Sequence, residues 1–195
     1  MRPPRERLGL ACGIAGPVVF LVLYSVAMAG DDDYVFFQNY LSDLGVGEAA
    51  WAFNSAVILA GLLCLPFILF GIRPNLDGGV MATLGVVAAT AGCAFLVLVG
   101  VYTEDYDPAH GIVSLAFFGS MLAALGFWSW SLHFSHSMGR AATEVTQGAF
   151  AIGLIVAIFG FNPRTETVAV LLIVVWAVSL AILLLRQEDA HPPVK

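Results

Sequence analysis

Charged side chains are scarce in this sequence: they make up 11% of its 195 residues, where a soluble domain carries about 25%. Too little polar surface is available to cover a water-facing globule of this length. Basic residues number eight against 14 acidic ones, for a net charge of −6, which is not the footprint of a nucleic-acid partner. Cysteine is limited to Cys12, Cys64 and Cys93. Each falls inside an apolar run and none in a polar connection, so no structural disulfide is expected, and the thiols read as small buried hydrophobes. A phosphate-binding glycine loop, a dinucleotide fingerprint and a haem-attachment motif are all absent. No cofactor is expected, and no metal, since zinc sites usually take three or four protein ligands rich in His or Cys.

What the chain has instead is hydrophobic length. Apolar residues are 59% of the total, and they gather into six runs, at about 8–29, 49–72, 79–101, 110–134, 145–161 and 167–185. A helix needs about 20 apolar residues to cross a bilayer. The runs are continuous rather than alternating, which excludes a membrane barrel. The expected fold is therefore all-α, one transmembrane domain over 1–195 with six helices. Residues 1–7 and Ala27-Met28-Ala29 resemble a secretory leader, but the run between them is about twice the usual apolar length of a leader and reads as an uncleaved anchor.

With both termini cytoplasmic, Arg2, Arg5, Arg7, Arg73, Arg140, Arg186 and Lys195 fall inside and only Arg164 outside, as the positive-inside rule requires. That orientation puts Asp31, Asp32, Asp33, Asp43, Glu48, Glu104, Asp105, Asp107 and Glu166 on the outer side. The expected location is the cell membrane, with the lipid bilayer as first partner. Gly9 and Gly13 form a G-x-x-x-G, and Leu84–Gly92 echoes Leu8–Gly16. Such small-residue faces suit helix packing, within this chain or with a membrane-protein partner or a second copy.

Between the runs, Phe36, Phe37, Tyr40, Leu41 and Leu44 recur at helical spacing, so an amphipathic interfacial helix is expected within 30–47. Asn54, one turn into the second run, reads first as interhelical glue. Thr143-Glu144 offers a start for the fifth helix, and Thr165 a cap for the sixth. His133 and His136 read as interfacial residues. The polar tail from Arg186 to Lys195 is expected to be mobile.

The densest chemistry lies in Val99–Ser114, where Glu104, Asp105, Asp107 and His110 fall between two apolar runs. Asp107 before Pro108 reads as a cap followed by a first-turn proline, which removes Asp107 from the functional list. The remaining groups suggest an outer polar pocket: Ser42, Asp43, Asn54, Glu104, Asp105 and His110. Ser42, His110 and Asp105 are the residue types of a catalytic triad, but no nucleophile-elbow motif surrounds Ser42.

Tyr40-Leu-Ser-Asp-Leu-Gly45, Phe53-Asn54 with Gly61, and Val99-Gly-Val-Tyr-Thr-Glu-Asp-Tyr-Asp-Pro-Ala-His110 together resemble the prokaryotic domain-of-unknown-function family 998. That family is related to the Frag/DRAM/Sfk-like six-helix membrane proteins. The resemblance implies an integral membrane protein and points to Ser42, Asp43, Asn54, Asp105 and His110 without giving them roles. The leading functional expectation is a non-enzymatic protein whose outer pocket binds a lipid headgroup or small ligand. Its rivals are a membrane-embedded lipid hydrolase or transferase using His110 and carboxylates, and a structural subunit of a membrane complex.

Overall fold

The computed structural model describes residues 2–190, and side chains through Gln187. Six helices account for most of them: α1 (Pro4–Ala29), α2 (Ala50–Pro66), α3 (Val80–Val101), α4 (Ala109–Ser135), α5 (Arg140–Ile158) and α6 (Pro163–Ala190). Each gives a span long and apolar enough to cross a membrane, and no strand occurs among the described residues. Each helix lies against the next in sequence, and α6 returns to α1, so the six close into a ring. The fold is that of a multi-pass membrane bundle.

In helices apolar on every side, residue size rather than polarity decides which face turns inward. Gly9 of α1 lies so close to α2 that an added Cβ would stand 2.4 Å from the Gly71 nitrogen. Gly85 of α3 does the same for α4, where a Cβ would fall 2.3 Å from Trp128 Nε1. The inward large residues stack: Trp128 and Trp176 lie nearly parallel with centroids 5.9 Å apart. Their indole N–H groups donate to the Ala82 carbonyl and the Thr146 hydroxyl, as buried tryptophans require. Leu8, Val18, Leu115 and Ile155 face outward, where lipid is their natural solvent.

After Pro66, which has no N–H to offer the ladder, α2 widens into a π turn over Phe67–Ile72 and tightens over Arg73–Asn75. This end of the bundle, which holds the N-terminus, is laced by polar contacts. Arg2 pairs with Glu6 and donates to Asn75 Oδ1 (2.7 Å) and the Leu184 carbonyl (3.0 Å). The Ser131 hydroxyl lies 3.1 Å from either oxygen of Asp77.

Several local expectations are corrected. No amphipathic helix forms in 30–47: Phe37 sits at φ 65°, outside any helix, and only Leu41–Gly45 coils, as a 3-10 turn. Asp107 does not cap α4, which starts at Ala109 with Pro108 in the capping position. α5 begins at Arg140, ahead of Thr143-Glu144, because Gly139 at φ 77° reverses the chain there. The cap of α6 is Asn162, whose Oδ1 accepts from the Arg164 and Thr165 amides at 3.1 and 3.2 Å. Thr165 is its reciprocal partner, accepting from the Asn162 amide at 2.9 Å. The described part of the tail, 186–190, continues α6, and the rest of the expected mobile tail lies outside the described residues.

Candidate functional site

Three connections meet at the end of the bundle away from the N-terminus: 30–49, 102–108 and 159–162. The first supplies a plug. The Tyr40 amide donates to Asp43 Oδ2 at 2.9 Å and closes the turn Leu41–Gly45, as a side-chain cap closes a helix start. Leu41 and Leu44, 3% and 1% exposed, drop into a cluster with Phe20, Tyr24, Ala27 and Phe53. With both leucines down, Ser42 is carried inward and Asp43 stays half-buried at the rim.

Glu166 reaches the plug from the first turn of α6. Although 7% exposed, it is well bonded: Oε2 accepts from the Leu41 amide at 2.6 Å, and Oε1 lies 3.4 Å from Ser42 Oγ. The Ser42 hydroxyl has one proton, and its shorter contact, 2.6 Å, is to Glu104 Oε1. Two carboxyl groups thus converge on one hydroxyl.

Asp43 lies close enough to Glu104 for the two carboxyl groups to act on each other. Half-burial pushes the Glu104 carboxyl above its ordinary value, and the neighbouring Asp43 adds to the rise. The Ser42 hydroxyl and His110 oppose it. Deeper in, the Tyr24 and Tyr34 hydroxyls lie 3.2 Å apart. Burial raises the Tyr34 phenol, with the charges of Glu166 and Asp43 adding, while the bond to Tyr24 opposes.

His110 stands on the other side, in the first turn of α4. Its Nδ1 is 2.7 Å from the Tyr102 carbonyl. A carbonyl only accepts, so Nδ1 carries a proton. Nε2 is left facing the Ser114 hydroxyl, 3.3 Å away and one helical turn on.

Two spaces meet between these groups. An open cleft of about 560 Å3 is bounded by Tyr40, Ser42, Glu104, Asp107, His110 and Ser114. Inside the ring, an apolar cavity of about 100 Å3 extends past Phe20 to Phe67 and Ala177. Ser42 and Ser114 line both, so their hydroxyls separate the polar space from the apolar one.

Of the residues expected from sequence, Ser42, Glu104 and His110 meet at this cleft, with Asp43 beside Glu104. Asp105 is exposed and does not line the cleft. Asn54 serves the plug, donating to the Gly45 carbonyl at 2.9 Å. Asp107, set aside as a cap, lines the cleft after all. Sequence reasoning missed Ser114 and Glu166. Ser114 was open to detection by its i, i+4 spacing from His110. Glu166 could have been singled out as an ionisable group inside an apolar helix rather than counted with the loop acids.

The family model described as Protein of unknown function (DUF998) matches residues 14–185. The chain belongs to this family. No curated protein and no solved structure matches it. The DUF998 match takes in every residue of the cleft, whereas Arg2 and Glu6 at the opposite end lie outside it. Among the described residues, no group of three or more His, Cys, Asp or Glu is placed to hold a metal ion. The lining of the DUF998 cleft holds carboxyl, hydroxyl and imidazole groups, and no arginine or lysine. Such a lining accepts hydrogen bonds and favours positive charge.

Proposed function

We propose that this protein is a non-enzymatic binder of a membrane amphiphile, whose amine-bearing head sits in the cleft between the plug and α4. One observation carries the reading. The cleft of about 560 Å3 lies within the range of small-molecule sites, roughly 300–1,000 Å3, and combines acceptor groups with a lining free of arginine and lysine. An ammonium head finds Glu104, Asp107 and the Ser42 and Ser114 hydroxyls. A phosphate head meets carboxylates and is repelled. The distribution of arginines supports an orientation with the cleft on the outer face of the cell membrane.

The test is a titration of purified protein in nanodiscs with dodecylamine and with dodecyl phosphate, followed by tryptophan fluorescence. Dodecylamine should bind and dodecyl phosphate should not. Ser42→Ala/Glu104→Gln should weaken the amine about 10- to 100-fold, as loss of a charge-assisted hydrogen bond does. Equal binding of the two detergents, or an unchanged double variant, would refute the reading.

A second reading, a lipid hydrolase or transferase, is favoured by the His110–Ser114 pair. The protonated Nδ1 leaves Nε2 as a base toward a hydroxyl that borders an apolar cavity. A fluorophosphonate probe that labels Ser114 and loses its label in His110→Ala would promote this reading over the first.

A further inference from the structure

We propose that the hydrocarbon chain of the bound amphiphile lies outside the helix ring, in a groove between α4 and the α5–α6 hairpin, and that the ligand is drawn sideways from the bilayer. This rests on the head-group reading above. Volume decides where the chain can go. The cavity inside the ring, about 100 Å3, is smaller than the roughly 150 Å3 cavity that takes a single benzene. It has no room for a long chain. The groove measures about 400 Å3.

The groove is apolar and lies within the membrane spans. Phe118, Gly119 and Leu122 of α4 form one wall, and Gly153 of α5 with Ala169 and Leu172 of α6 the other. Gly119 contributes to the depth of the trough: a Cβ added there would meet nothing within 4 Å. The groove also borders the polar cleft, because Leu115 and Phe161 line both. Phe161 stands at the junction. Its ring lies 6.2 Å from that of Tyr40, on the cleft side, and 5.3 Å from that of Phe118, on the groove side.

An acceptor-lined cleft bordering a hydrocarbon-facing groove matches one occupant, a single-chain amphiphile with a cationic amine head. A hydrocarbon without a head has no partner in the cleft. A phosphate head has the wrong charge for Glu104 and Asp107. A lipid already in the bilayer reaches both spaces without crossing water.

The experiment uses the full chain in phosphatidylcholine nanodiscs and hexadecylamine carrying a mid-chain diazirine, with crosslinks mapped by mass spectrometry. Labels are expected on Phe118, Leu122 and Leu172. Gly119→Leu, which fills the trough, should weaken amine binding about tenfold, the scale of forcing a leucine into occupied space. Leu172→Trp tests the opposite wall in the same way. Gly148→Leu, also on open space but outside the groove lining, should bind as the native chain does. Binding that depends on Glu104 while labels fall elsewhere and both groove variants bind normally would overturn this inference alone. Equal groove labelling by a diazirine hexadecane without the amine would also overturn it, reducing the groove to ordinary lipid contact. No amine binding by the native chain would instead overturn the head-group reading beneath it.

Discussion

Glu166 holds the plug to α6, and removing its carboxylate tests that arrangement quantitatively. In Glu166→Ala the Leu41 amide loses the acceptor of a 2.6 Å hydrogen bond at a position 7% exposed, where no water replaces it. A stranded buried donor costs about 1–3 kcal/mol. Ser42 loses only its 3.4 Å contact and keeps Glu104 at 2.6 Å, so it adds little. The expected destabilisation is about 2–3 kcal/mol, a roughly 30- to 160-fold shift in the unfolding equilibrium. Glu166→Gln retains an acceptor oxygen at the same reach, and its cost should stay below about 1 kcal/mol. Reversible unfolding in mixed micelles, read by tryptophan fluorescence, measures both. The reasoning fails if Glu166→Ala lies within about 0.5 kcal/mol of the native chain, or if the two variants are equally destabilised.

Three further outcomes follow from the same structure. Gly85→Ala places a Cβ 2.3 Å from Trp128 Nε1 and should destabilise by about 1–3 kcal/mol; Gly148→Ala, on open space, should stay within about 0.5 kcal/mol in the same assay. Asn162→Ala removes the cap of α6 and should cost about 1 kcal/mol, visible as faster amide exchange at Arg164 and Thr165. Glu104 gives a pH signature. Its carboxyl is raised from 4.5, so the fold prefers its neutral form. The stability it contributes is complete below the ordinary value and is lost as pH rises through the raised one. Melting followed from about pH 4 to pH 8 should lose this part of its slope in Glu104→Gln, which stays neutral throughout.

The spans were legible because lipid imposes one requirement on backbone over a long stretch, and continuous apolar runs are its direct record. The connections were not, because a single residue redirects them. The periodicity from Phe36 to Leu44 fits a helix, yet Phe37 at φ 65° turns the chain before one can form. Ser42 and His110 were visible as polar groups flanking apolar runs. Their neighbours separated for a geometric reason: a 3-10 turn advances about 120° per residue, so when Glu104 turns to the cleft, Asp105 turns to water. Asp107 lost its capping role once α4 began at Ala109. Glu166 was hidden among the loop acids, since it stands just past a loop in sequence but already in the first turn of α6 in space. No local pattern reveals that the Leu41 amide lies 2.6 Å away, 125 residues off in sequence.

The central claim is that an amine head sits against Glu104 in the cleft. The most direct measurement is solid-state NMR of the glutamate-13C-labelled protein in phosphatidylcholine bilayers with 15N-dodecylamine. The account predicts that one glutamate carboxyl signal is dephased by the amine nitrogen, at a separation of about 3 Å, and that this signal is absent in Glu104→Gln. A spectrum in which no carboxyl is dephased, or in which the dephased signal survives in Glu104→Gln, would contradict it.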